Sequence, residues 1–406
     1  LGMPVVVSVL LFIIYYIISM MGERSAREAV ISPAAGMWIS AFILLPLGII
    51  LTYKSVTDSE MMNTEAYTRV FKKLIAFIKK KKMPSHKLRI VYMGTPDFAV
   101  LPLKRIIEAG FQVVGVVTNP DKPAGRGQQL QESAVKKYAR EIGLKILQPE
   151  KFRDPDFLQA LAELKADLQL VVAFKMLPEV VWNMPPLGTV NLHASLLPDY
   201  RGAAPINRAV MNGETCSGVT TFLLKQEIDT GNIIFQEKVE IGEEMTAGEL
   251  HDELMEKGAD LLLKTVQAME AGDYPLTDQC GLLRGREAVL APKIFKEDMK
   301  IRWNGKLETI CNHIRGLSPF PGAWTELQAV GKDSGVLTLK IFKAARIRQS
   351  HNLPAGEVRT DGKTFFDVYV EGGIVRVLEL QLSGKKRMRT EDFLRGFRLE
   401  DYRLVW

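Results

Sequence analysis

Two textures of hydrophobic patterning divide the chain. Residues 4–21, PVVVSVLLFIIYYIISMM, and residues 37–53, MWISAFILLPLGIILTY, are apolar and almost uncharged. Runs of this length can cross a thin hydrocarbon layer, so the pattern predicts two transmembrane helices. The short connection between them predicts a hairpin with both ends on one side. The stretch FKKLIAFIKKKK, residues 71–82, assigns that side to the cytosol by the positive-inside rule. A cleaved signal peptide fits less well, because no basic segment precedes the first run and a second apolar run follows it.

From residue 88 the pattern changes to strand, turn and helix. LRIVYMG (88–94) reads as an apolar strand, TPDFAVLPLKRIIEAG (95–110) as a helix and FQVVGVVTN (111–119) as a second strand. ADLQLVVAF (166–174), GTVNLHA (188–194) and VTTFLLKQE (219–227) add further strands. Such alternation predicts an α/β fold with a doubly wound parallel sheet. Residues 246–272 predict a long helix opened by a capping box, Thr246 with Glu249, and carrying Leu250, Leu254 and Leu261 at helical spacing. Beyond a polar stretch at 271–279 the texture becomes β-like. VLTLKIF (336–342), GEVRTDGKTFFDVYVEGG (356–373) and IVRVLELQL (374–382) are punctuated by Asp361-Gly362 and Gly372-Gly373, which predict hairpin turns in a small barrel.

The 406 residues, 47% hydrophobic and 25% charged, allow two or three domains. The expected division is 1–82, 83–275, a linker at 276–291, and 292–406. Met83 stands where an independent protein could begin. Cys216, Cys280 and Cys311 lie far apart without C-x-x-C spacing, which argues for a reducing compartment rather than a disulfide framework or a zinc knuckle. The net charge of +6 is mildly basic, and residues 292–406 alone hold seven more Lys and Arg than Asp and Glu. A polyanionic partner is allowed there, although GKKRMR (384–389) alone also reads as a solvated face.

Candidate chemistry concentrates on GTVNLHASLLPDYRG, residues 188–202. Strand side chains alternate faces, so Asn191 and His193 point one way and Val190 and Leu192 the other. Ligands of open parallel sheets bind beyond the carboxyl ends of the strands, which is where this pair leaves. In isolation, Asn-x-His reads rather as a core histidine satisfied by an amide. The segment EIDTGNII (227–234) brings Asp229 to a turn after another strand. The turn MGTPDFA has one glycine where a dinucleotide fingerprint needs three, which excludes a nicotinamide enzyme.

Asn-x-His followed by SLLPDYRG and then Asp-Thr-Gly resembles the folate-dependent formyltransferases. GTPDFA, NPDKPAGRG, RGAAPI, GVTTF, SPFPGAW and GKKRMRTEDFLRGFRL are similar, more narrowly, to the methionyl-tRNA formyltransferase family, over about residue 88 to the C-terminus. The resemblance implies a Rossmann-like catalytic domain, an OB-like barrel that grips tRNA, and transfer of formyl from 10-formyltetrahydrofolate to the amine of initiator methionyl-tRNA, with no metal. It implies catalytic roles for Asn191, His193 and Asp229. Formyl transfer develops an oxyanion and releases a proton from the amine; an amide donor and an imidazole supply what that needs.

Further implications concern binding. Met176 and Leu177, which by themselves read as core packing, would line the folate crevice with Ser195, Leu196, Leu197 and Pro198. Lys122 and Arg126 in the loop at 119–130 would enter the acceptor end of the tRNA, and Lys385, Lys386 and Arg387 would meet its phosphates. Arg208 and Asn232 depart from the family pattern, where an aromatic and Asp are expected. A small acceptor, glycinamide ribonucleotide or a UDP-amino sugar, is the rival; the basic barrel and the loop argue against it. A monomer with a cytoplasmic catalytic body is expected.

The N-terminal segment is similar, in motifs of low specificity, to the last two helices of the lipopolysaccharide-export permease family. That resemblance implies either a membrane anchor or the end of a neighbouring reading frame joined to the enzyme.

Overall fold

The computed structural model of the chain describes residues 12, 15–23, 32, 38, 41, 42, 44–46, 87–124, 129–330 and 335–406. Two compact units divide at Leu1–Lys81 and Lys82–Trp406. In the first, residues 15–23 are helical. The two expected spans fall mainly outside the described residues, as do Met83 and Arg126. Among the described residues no helix is long and apolar enough to cross a membrane. The expected hairpin thus gains no support from the described residues.

The second unit opens with a seven-stranded sheet. Its strands are β1 (Arg89–Gly94), β2 (Gln112–Val117), β3 (Ile146–Leu147), β4 (Leu168–Val172), β5 (Thr189–His193), β6 (Cys216–Leu223) and β7 (Ile233–Glu240). Their order is β7-β6-β5-β4-β1-β2-β3. The five strands from β5 to β3 are parallel, and β6 and β7 add antiparallel neighbours. The chain runs outward from β1 to β3 and then returns to place β4 on the other side of β1. The order therefore reverses between β1 and β4, and a crevice opens at their carboxyl ends.

Helices cover both faces, which is why β1, β2 and β4 are nearly continuous apolar runs. On one face α1 (Val100–Glu108) and α2 (Ala134–Glu141) pack against Ile90, Tyr92, Leu170 and Val172. On the other, α3 (Pro155–Glu163) and α4 (Glu179–Trp182) cover Val91, Met93, Val117 and Val171. After α5 (Pro205–Met211) comes the long α6 (Ala247–Ala271). The capping box expected at Thr246 and Glu249 is formed, with both reciprocal hydrogen bonds present. Leu250, Leu254 and Leu261 are buried in the first core.

Residues 276–291, expected as a linker, are bound to the catalytic body. They form α7 (Gln279–Leu283) and the two-residue strand Leu290–Ala291, which pairs in parallel with Arg201–Gly202. Tyr200 N donates to Val289 O at 2.6 Å. The Arg286 guanidinium forks onto Asp199 at 2.7 and 2.6 Å and holds that carboxyl below the usual carboxylate range.

The C-terminal part is a curled antiparallel sheet of β8 (Ala323–Ala329), β9 (Leu337–Ile347), β10 (Glu357–Thr360), β11 (Phe366–Val370), β12 (Gly373–Leu382) and β13 (Tyr402–Val405). The order β10-β11-β12-β9-β8-β13 brings its end strands into contact, which nearly closes a barrel. Trp303, fully buried, donates from Nε1 to Thr325 Oγ1 at 3.0 Å inside it. The hairpins differ slightly from expectation. Residues 361–365 join β10 to β11, because Asp361 Oδ1 accepts the N–H groups of Lys363, Thr364 and Phe365. The β11–β12 turn is Glu371-Gly372, with Gly373 already in β12.

Helix α8 (Leu307–Gly316) joins the barrel to the catalytic body through α5. A Cβ on Gly316 would lie 2.5 Å from Met211 Cγ and 2.8 Å from its N, so only glycine permits this helix approach. Leu254→Ala, which empties a fully buried position under the sheet, should cost about 2–5 kcal/mol. Urea unfolding checks this, and a loss within measurement error would mean that α6 is not part of the cooperative core.

Candidate active site

The β5 strand carries an apolar stripe on one face, Val190 and Leu192, which join the first core. Its other face is entirely polar: Thr189, Asn191 and His193. Thr189 is buried and accounted for, donating to Trp182 O at 2.6 Å, with Gln169 Oε1 3.0 Å away. Asn191 is half-buried, and its side-chain amide makes no hydrogen bond among the described residues. It faces a cavity of about 640 Å³ at the ends of β1, β4 and β5. Trp182 of α4, Pro205, Ile206 and Asn207 of α5 and His251 of α6 line the same cavity.

His193 is 7% exposed. Its Nε2 lies 2.8 Å from the carbonyl oxygen of Tyr200. A carbonyl can only accept, so the neutral imidazole carries its proton on Nε2 and presents the Nδ1 lone pair. Nδ1 is 3.9 Å from Asp229 Oδ2, too long for a direct hydrogen bond but close enough for an ion pair once the ring is protonated. Tyr200 turns its carbonyl this way from a left-handed backbone, φ 60°. Its ring is fixed by donation to Glu214 Oε1 at 2.6 Å and acceptance from Asn212 at 3.1 Å. Burial pushes that phenol far above its ordinary pKa.

Asp229 is likewise held. Its φ of 53° is a conformation that Asp tolerates better than most side chains. Gly202 N donates to its Oδ2 at 3.0 Å. Buried Gln279 donates to the carbonyls of Asp229 and Gly231, both at 2.8 Å, while its own Oε1 accepts from Arg201 at 2.7 and 3.2 Å. Gly202 sits at φ 123°, and a Cβ there would stand 2.6 Å from Ala291 O. A carboxylate is thus aimed into the cavity by backbone and amide groups drawn from three separate segments.

Asn191, His193, Asp229, Met176 and Leu177 all line this one cavity. Met176 is 72% exposed at its rim, whereas Leu177 is buried. Ser195, Leu196, Leu197 and Pro198 lie in the turn between His193 and Tyr200, beside the residues that line it. Ser195 Oγ donates to Asp199 O, Leu197 packs on Phe222 and Ile233, and Leu196 fills the space beside Gly218. This segment braces the turn between His193 and Tyr200.

Of the expected RNA contacts, Lys122 is exposed on a short hairpin, Lys122–Ala124 with Gln129–Gln131, and Lys385 and Lys386 are exposed after β12. Arg387 is already engaged, paired with Glu379 at 2.6 Å and 4.6 Å over the Phe342 ring. Arg208 binds Asp298 and the carbonyl of Pro292, and Asn232 accepts from Lys225 at 2.9 Å. Both departures from the family pattern thus have local structural partners.

Several lining residues escaped the sequence reading: Pro96 and Phe98 after β1, and His251 on α6, which meets Phe98 edge-on at 5.2 Å. Gln279 and Arg201 had no local signal, because their role exists only once the segments meet.

A formyl transferase family profile matches residues 87–266, and its C-terminal domain profile matches 293–398. The chain is 54% identical over 319 residues to the methionyl-tRNA formyltransferase of Bacteroides thetaiotaomicron, covering 79% of this chain and 98% of that one. It is 56% identical to that of Phocaeicola vulgatus and 47% to that of Porphyromonas gingivalis ATCC 33277, again over 98% of each relative and 79% and 78% of this chain. Two solved structures share the fold. The N-formyltransferase of Helicobacter canadensis, solved with folinic acid and dTDP-3-aminofucose, has TM-score 0.53 at 21% identity, over 74% of this chain and 100% of that one. HypX of Aquifex aeolicus has 0.51 at 18%, over 77% and 49%. Neither family profile reaches residues 1–82. With a catalytic body matched along nearly the whole length of such relatives, the chain belongs to the methionyl-tRNA formyltransferase family.

Proposed function

We propose that this protein transfers the formyl group of 10-formyltetrahydrofolate to the α-amine of methionine esterified to initiator tRNA. The observation that carries this reading is the convergence of Asn191, His193 and Asp229 in one cavity, in a chain that matches 98% of the length of relatives bearing that name.

The cavity suits a folate. Its volume lies in the range of small-molecule sites, and Phe98, Val171, Leu177 and Trp182 give it apolar walls. The N–H groups of residues 174–177 take no part in the turn and loop hydrogen bonds, which leaves them for the edge of a pterin ring. When bound, the folate supplies the activated formyl carbon. The chain's own groups do the rest. The Asn191 amide donates to the negative charge that develops on the formyl oxygen. His193 Nδ1, unprotonated and turned to the cavity, accepts the proton released by the attacking amine. Asp229 then stabilises the imidazolium through the 3.9 Å ion pair.

The domain reading is catalytic 83–275, a bound connection at 276–291 and a tRNA-gripping OB-like barrel at 292–406. Exposed Lys122, Lys385 and Lys386 are the cations available for phosphate contact. Residues 1–82 lie outside both family profiles.

Transfer to charged initiator tRNA should exceed transfer to glycinamide ribonucleotide or a UDP-amino sugar by orders of magnitude in kcat/KM; side-by-side assays that favour a small amine would overturn the acceptor assignment. His193→Ala should lower kcat by about 10²–10⁴-fold with tRNA affinity retained, and single-turnover rates read this directly. The double substitution Lys385→Ala, Lys386→Ala should weaken tRNA binding and reduce the slope of log Kd against log salt by about two, with donor KM unchanged. A slope equal to wild type would remove these lysines from the interface.

A further inference from the structure

Phe320 is the most exposed large hydrophobic side chain among the described residues, at 81%. Single exposed apolar residues are ordinary on protein surfaces, and exposure alone assigns no role. What distinguishes Phe320 is how tightly its loop is held. Gly248 N, in the first turn of α6, donates to Ser318 O at 3.0 Å, and a Cβ on Gly248 would lie 2.4 Å from Pro319 Cδ. Asn207 of α5 donates to Gly316 O at 2.7 Å and approaches Phe320 O at 3.4 Å. Lys340 of β9 donates to Pro321 O at 3.0 Å. Two elements of the catalytic body and one strand of the barrel therefore fix the backbone on either side of a ring that points into solvent.

The ring borders a cleft of about 1230 Å³ between the catalytic body and the barrel. This cleft and the catalytic cavity share Ile206, Asn207 and His251 in their linings, so the two adjoin across these side chains. The charged lining of the cleft is mostly carboxylate, with Asp97, Glu244, Glu249, Asp252, Glu253 and Glu379 against Lys343 and Arg387, and Arg387 is already paired with Glu379. The cleft therefore offers phosphate no net attraction, and what it presents to a nucleotide is the held aromatic face on its rim.

We infer that Phe320 is a stacking platform for an unpaired base at the 3′ end of the acceptor RNA. The inference rests on the tRNA reading above and deepens it. The reacting amine is attached through its ester to the terminal ribose, so the unpaired nucleotides next to it must leave the catalytic cavity by an adjoining opening. The interdomain cleft is such an opening, and stacking on an aromatic ring is tolerant of base identity. Its energy, of the order of 1–3 kcal/mol per base, corresponds to a factor of about 5 to 150 in affinity, and a ring open to solvent on one side belongs at the lower end.

The test uses the full chain. Phe320→Ala should raise KM for charged initiator tRNA about tenfold, with kcat, donor KM and the unfolding midpoint unchanged, since the ring is exposed. Phe320→Trp should restore KM, and Phe320→Leu, apolar without a π face, should not. With 2-aminopurine placed in the unpaired 3′ end, wild-type protein should quench its fluorescence on binding and Phe320→Ala should not. Wild-type KM and quenching in Phe320→Ala, or full rescue by leucine, overturn the stacking assignment alone. Wild-type protein that formylates a small amine and not charged tRNA overturns the acceptor reading, and this assignment with it.

Discussion

The position of one carboxylate depends on segments that the sequence keeps far apart, and much of the site depends on that carboxylate. Asp229 occupies a left-handed backbone conformation that a turn of its own would not enforce. It is held there because Gln279, fifty residues on, clamps its carbonyl, and because Gly202 N–H claims one carboxylate oxygen. Arg201 fixes Gln279 in turn. The short pairing of Arg201–Gly202 with Leu290–Ala291 then locks the connection to the barrel against the same turn. A segment whose composition suggests a plain tether is therefore part of the device that aims Asp229 at His193. Buried polar groups of this kind persist only when each has its partner, and here the partners come from both sides of Asp229 in sequence, Arg201 and Gly202 before it and Gln279 after it.

The sheet supplies the complementary half. A parallel strand covered on both faces is expected to be apolar throughout. β5 breaks that rule on one face with Thr189, Asn191 and His193, and it does so beside the point where the strand order reverses and the cavity opens. Thr189, deeper, is satisfied by Gln169 and the Trp182 carbonyl. The two outer side chains are left for chemistry. The fold thus places its polar exception where the cost of burying it is lowest.

The barrel is held to the catalytic body by polar contacts as well as helix packing. Arg346, with a side chain only 7% exposed, donates to Glu243 O and Asn312 Oδ1 and pairs with Glu244 and Glu308. Arg315 reaches the carbonyls of Gly242 and Met245. The segment they grip leads directly into the capping box of α6, so the same contacts fix the helix whose first turn supports the 318–321 loop. Burial alongside this clamp pushes the Cys311 thiol up to about 11, which keeps it protonated at neutral pH.

How much of this was legible follows from the range of each interaction. Period-two and period-3.6 patterns report local burial, so the alternating α/β body, the long capped helix and the β-rich C-terminal part were readable, as was the shared face of Asn191 and His193. Ser195 to Pro198 follow His193 directly, and only the packed turn shows how Ser195 and Leu197 brace it. The apolar N-terminal runs carry a pattern that predicts spans, and the described residues there give no helix long enough to make one. The sequence by itself determined the elements, the reacting residue types and the family to which their order points. Tertiary structure alone decided which side chains meet, because the hydrogen bonds that orient Asp229, the tautomer that Tyr200 imposes on His193 and the cleft beside Phe320 all join segments whose separation along the chain leaves no trace in local pattern.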